Sequence, residues 1–102
     1  MQEIVVEFVQ FRLLEGVNER EFLAASNIMM KEFVSLDGFI DRELLKKDDG
    51  GWADLLHWKS MDAAIKAAED ALKLPMCLEY FKLIDGSSMV VSHYRLCQRF
   101  EA

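Results

Sequence analysis

The sequence predicts an α+β domain of the ferredoxin-like kind, β-α-β-β-α-β with an extra short helix before the last strand. Three observations predict it. Strand-like stretches with period-two alternation open and close the chain and flank its middle. Two stretches between them carry apolar residues at helical spacing, each opened by a capping residue, Asn18 and Ser60. "DDGG" is a hairpin signal, because a tight turn needs residues that tolerate positive φ. A length of 102 residues fits one domain, 1-102, with no linker or repeat.

Taken in order, Glu3 to Leu13 is the first strand. Ile4, Val6 and Phe8 make one face; Val5, Glu7, Val9 and Phe11 make the other. Both faces are mostly apolar, which predicts a central strand covered on both sides. Asn18, with Glu21 three positions on, starts a helix running to about Leu36, with Phe22, Ala25, Met29, Phe33 and Leu36 on its buried stripe. Asp37-Gly38 ends it. Phe39 to Lys47 is polar enough for an edge strand, and its charges discourage stray edge pairing. Trp52 to Lys59 is the third strand. Ser60 caps the second helix, whose buried stripe is expected at Met61, Ala64, Ile65, Ala68 and Leu72. Pro75 opens the short helix "PMCLEYFKLID", Gly86 closes it, and Ser88 to Arg99 is the last strand. Right-handed crossovers then order the strands four-one-three-two, with the helices on one face. The other sheet face has nothing in a single copy to cover it, so a second subunit's sheet is expected there.

Composition points the same way. A domain this small buries only about two thirds of the surface its unfolded chain exposes, yet 52% of its residues are hydrophobic. A homo-oligomer would use the excess. The formal charge of -6 argues against nucleic-acid and anionic-membrane partners, since phosphate binding needs a basic face. Cys77 and Cys97 lie far apart without CxxC spacing, so neither iron–sulfur nor structural zinc ligation is supported. Two reduced thiols in the cytoplasm are expected. The start "MQEIVVEFVQF" reads as a strand, lacking the basic n-region of a signal peptide and the length of a membrane span.

The junction "WADLLHWKS" running into an alanine-rich helix, the "DGF" before it and "IDGSSMVVSHY" near the end resemble the dimeric α+β barrel superfamily, the antibiotic biosynthesis monooxygenase-like proteins. The resemblance spans nearly the whole chain. It implies two sheets packed face to face in a homodimer, with a cavity in each subunit for a small apolar or aromatic molecule. Barrel members that degrade haem carry a tryptophan where Trp58 stands. They also need a first-strand asparagine, where this chain has Val9 or its neighbours, and a histidine on the later helix, which "PMCLEYFKLID" lacks. Haem degradation is therefore not implied.

If Trp58 lines the cavity, alternation puts Trp52, Asp54 and Leu56 there too and turns His57 away, toward the helices or a strand end. Asp54 among tryptophans is either functional or a structural acid bonded to a hydroxyl, an arginine or a turn amide. Glu7, on the face of Val9 and Phe11, needs a partner if ionised. His93 can supply one, Glu7 can bridge it to Asp54, and Arg95 is the structural alternative. His93 is the leading catalytic candidate, because histidine suits general-base work near neutral pH; Tyr94, pointing oppositely, is expected in the core. The candidate catalytic set is thus His93, Asp54 and Glu7, with Trp58, Trp52, Val9, Phe11 and Leu56 as the substrate wall. No metal site is expected, since the two histidines face opposite sides. No glycine-rich phosphate loop implies a nucleotide or flavin cofactor. The resemblance implies cofactor-independent oxygenation of a small aromatic, phenolic or quinol compound; the alternative is a non-catalytic ligand-binding or structural dimer.

Overall fold

A computed structural model of the chain describes residues 3–102. Residues 1 and 2 of the expected domain lie outside the described residues. The first apolar run forms β1 (Val5–Leu13). Asn18 starts α1 (Glu19–Phe33), its side-chain oxygen accepting from the Glu21 N–H at 2.7 Å. Glu19 and Glu21 in the first turn and Lys31 in the last complement the helix dipole. The helix stops three residues before the expected Leu36. There the Ser35 hydroxyl donates to the Glu32 carbonyl at 2.6 Å, and the chain turns through Gly38 at φ +80°.

β2 (Phe39–Lys46) and β3 (Trp52–Trp58) form the hairpin, closed by the Lys47 N–H on the Gly51 carbonyl at 2.7 Å with Gly50 at φ +90°. Ser60 caps α2 (Met61–Ala71), accepting from the Ala63 N–H at 3.1 Å. α3 (Pro75–Phe81) has proline in its first turn and no cap from its own flank. Glu32 of α1 supplies one instead, accepting from the Cys77 N–H at 3.0 Å. β4 (Ile84–Arg95) completes an antiparallel sheet in the order β2-β3-β1-β4. This is the ferredoxin-like arrangement predicted, with β1 inside and β2 at an edge.

Val5, Phe11, Trp52, Leu56 and Trp58 of the sheet pack with Phe22, Met29 and Phe33 of α1 and with Cys77 and Tyr80 of α3. The opposite sheet face carries Leu45, Val90 and Tyr94, which are 41%, 55% and 57% exposed. No helix among the described residues is long and apolar enough to cross a membrane.

Four sequence expectations need correcting. α2 buries Ala64, Ala67 and Ala71, while Met61, Ile65 and Leu72 are exposed. The start of α2 packs close to the Gly38 turn, where a Cβ added to the glycine would stand 2.5 Å from the Ala63 Cβ. Gly86 does not end a helix. It sits within β4, where pairing jumps from Gln10–Val90 to Arg12–Asp85 and the Ser88 hydroxyl accepts the Arg12 N–H at 2.8 Å. β4 accordingly begins at Ile84 and ends at Arg95, not Ser88 to Arg99. Tyr94 is exposed on the uncovered face rather than in the core, since its alternation partner His93 points toward the helices.

Candidate functional site

Between the sheet and the helices lies a cavity of about 380 Å³. The alanine face of α2 explains it. Ala67 and Ala71 hold the helix over β1 and β3 but carry no atoms beyond Cβ to fill the space beneath. Glu7, Val9 and Phe11 of β1 and Asp54, Leu56 and Trp58 of β3 form the sheet wall. The mouth lies by β4 and the end of α2, where the lining residues Leu72, Met89 and Val91 are all exposed. Trp58 is 1% exposed, its ring edge-on to Phe39 at 5.5 Å and tilted against Phe33 at 5.7 Å, which fixes the wall.

Two polar clusters touch this apolar space. In the first, Asp54 is buried and fully occupied. Arg42 Nε donates to its Oδ1 at 2.7 Å and the Tyr80 hydroxyl to its Oδ2 at 2.8 Å. The other guanidinium nitrogens donate to Ser26 Oγ at 2.8 Å and to the Tyr80 oxygen at 3.0 Å. Burial pushes the Asp54 carboxyl above the ordinary carboxylate range, against the opposing pull of Arg42 and Tyr80. Burial and the Asp54 carboxylate push the Tyr80 hydroxyl far upward too, so it stays a donor. The cluster ties α1, β2, β3 and α3 together, and gives each Asp54 oxygen a short donor.

Glu7 forms the second cluster. Trp58 Nε1 donates to its Oε1 at 2.9 Å, and His93 Nε2 stands 3.4 Å from its Oε2. The pairing Glu7–His93 across β1 and β4 brings the two side chains to one face.

Of the predicted site residues, Glu7, Asp54, Trp58, Val9, Phe11 and Leu56 line the cavity. His93 stands behind Glu7 and Trp52 outside the lining, edge-on to Phe22 at 5.0 Å with Lys46 over its ring. Glu7 reaches His93 but does not bridge it to Asp54, and Arg95 faces Glu3 at 3.9 Å instead. His57 is turned from the cavity as expected, yet not toward the helices: it bonds Asp41 at 2.6 Å on the opposite sheet face.

Arg42 and Tyr80 were missed. Arg42 was legible in principle, because the hairpin register opposes Leu44 to Asp54 and so sets Arg42 diagonally beside that acid. Tyr80 depends on how α3 is rotated, which no local pattern states.

No protein-family model matches the chain, and no curated protein does. Solved structures do match it. The chain has the antibiotic biosynthesis monooxygenase-like fold. A candidate antibiotic biosynthesis monooxygenase from Bordetella bronchiseptica superposes with a TM-score of 0.74 at 16% identity, over 95% of this chain and 100% of that one. SnoaB from Streptomyces nogalater, a cofactor-independent oxygenase, gives 0.64 at 20% identity over 97% and 96%. Rv0793 from Mycobacterium tuberculosis gives 0.65 at 18% over 97% and 98%.

Proposed function

We propose that the cavity is the active site of a cofactor-independent oxygenase, acting on a small aromatic, phenolic or quinol compound within a homodimer. The observation that carries this reading is the Glu7 carboxylate, held by Trp58 at 2.9 Å and facing His93 at 3.4 Å on the wall of an otherwise apolar cavity. Glu7 takes the base's place because it lines the cavity and His93 does not; His93 lies behind it, placed to offset or receive the proton. Removing the substrate's hydroxyl proton leaves an electron-rich anion that gives its electrons to oxygen and bonds it at a ring carbon. The proton returns to the resulting peroxide, and loss of water leaves one oxygen atom on the ring as a carbonyl. The chain's contribution is positioning and exclusion of water.

SnoaB is a cofactor-independent oxygenase of the same fold, which supports the reading by analogy alone. Asp54, bonded by Arg42 and Tyr80, serves in this reading as a buttress of the wall. That occupied state also favours a second reading, a ligand-binding dimer without turnover, since it gives one of the three candidate catalytic residues a structural role. The exposed apolar side chains Leu45, Val90 and Tyr94 would lie under the sheet of the second copy. Two free thiols, Cys77 and Cys97, suit a cytoplasmic protein.

The test is oxygen uptake by the pure protein over a panel of hydroquinones and anthrones, with Glu7→Gln and His93→Ala alongside. Uptake without added flavin or metal that falls in both variants supports the oxygenase. Absence of uptake across the panel abandons it in favour of the ligand-binding dimer.

A further inference from the structure

The cavity's hydrogen-bonding inventory is unusually one-sided. Among the described lining residues, the only side-chain donors are Trp58 Nε1 and the Tyr80 hydroxyl. Both are spent, on Glu7 at 2.9 Å and on Asp54 at 2.8 Å. The lining contains no lysine, arginine or histidine. Arg42 stands behind it with its nitrogens committed to Asp54, Ser26 and Tyr80. Of the two lining carboxylates, Asp54 has a donor on each oxygen. Glu7 has a tight donor on Oε1 alone, because His93 stands 3.4 Å from Oε2. Glu7 Oε2 is thus the lining carboxylate oxygen without a short donor, and it keeps capacity to accept one.

We infer that the cavity selects uncharged aromatic ligands that donate a hydrogen bond to Glu7, and rejects carboxylates. An entering anion would lose its hydration in an apolar space, find no free side-chain donor to replace it, and face the carboxylate of Glu7. A hydroxyl-bearing ring would instead complete the Glu7 valence. The inference rests on the reading of the cavity as a ligand site, and not on oxygen chemistry.

Its test is binding, read by quenching of tryptophan fluorescence near neutral pH, of four matched probes: naphthol, methoxynaphthalene, naphthalene and naphthoate. Naphthol is expected to bind at least about tenfold more tightly than methoxynaphthalene, the usual worth of a hydrogen bond to a charged group, and naphthoate is expected to bind weakest of the four. In Glu7→Gln the amide can keep the Trp58 bond through its oxygen and turn a donor into the cavity. Naphthoate should then gain affinity while naphthol loses it. Naphthoate binding as tightly as naphthol to the natural protein, or no binding by any of the four, overturns the inference. Naphthol bound selectively without oxygen uptake would remove the oxygenase reading and leave this one standing.

Discussion

Asp54, Arg42 and Tyr80 illustrate how buried charge behaves at the scale of single residues. Taking a carboxylate and a guanidinium out of water is tolerable here because each has its hydrogen bonds met, and neither keeps a buried unmatched atom. Removing one member strands the others. Asp54→Ala leaves Arg42 buried and unpaired and should cost about 3–5 kcal/mol, whereas Tyr80→Phe removes one hydroxyl and should cost about 1–3 kcal/mol. Urea denaturation checks both, and a Tyr80→Phe protein as stable as the parent would remove the network from the account. Cys77 gives the pH prediction. Burial, and then the Glu32 carboxylate, push its thiol from 9.0 up to about 11. The folded state therefore holds this proton more tightly than the unfolded state. Stability from it is complete below pH about 9 and is lost as the pH rises through about 11, to the extent of about 2–3 kcal/mol. A thiol reagent should modify exposed Cys97 in the native protein and reach Cys77 only after unfolding.

At the scale of elements, α2 decides whether there is a site at all. Its buried Ala67 and Ala71 line the cavity without filling it. Ala67→Leu should fill that space. Naphthol binding is expected to fall by at least about tenfold while stability holds or rises by about 0.5–2 kcal/mol, as cavity-filling changes commonly do. Loss of binding together with a large loss of stability would instead mean that the helix had been pushed off the sheet. Gly38→Ala tests the close approach itself. Its φ of +80°, and the 2.5 Å at which the new Cβ would meet the Ala63 Cβ, make the change costly by more than about 1 kcal/mol, read as a lowered thermal midpoint.

For the whole molecule, the sheet has one face under helices and one without them. Leu45, Val90 and Tyr94 stand exposed on the second, an apolar surface that a face-to-face sheet from another copy would bury. Light scattering at micromolar concentration should report a dimer. Tyr94→Arg, which sets a charge in that face, should shift the protein toward monomer without unfolding it, as followed by circular dichroism. A monomeric parent protein would dispose of the face-to-face pairing.

Periodicity in the chain was enough for the strands and the two capped helices, because alternation and capping are properties of neighbouring residues. The strand order followed from right-handed crossovers. Alternation also put Glu7, Val9, Phe11, Asp54, Leu56 and Trp58 on one face, and those are the residues found lining the cavity. Where α2 turns its side chains was not local: the stripe of Met61, Ala64, Ile65, Ala68 and Leu72 was expected, and the helix buries Ala64, Ala67 and Ala71. The partners of Asp54 were not local either, since Arg42 comes from β2 and Tyr80 from α3. Strand facing follows from backbone geometry residue by residue. Helix rotation, and which carboxylate oxygen lacks a short donor, follow only from the simultaneous packing of all the elements around one space.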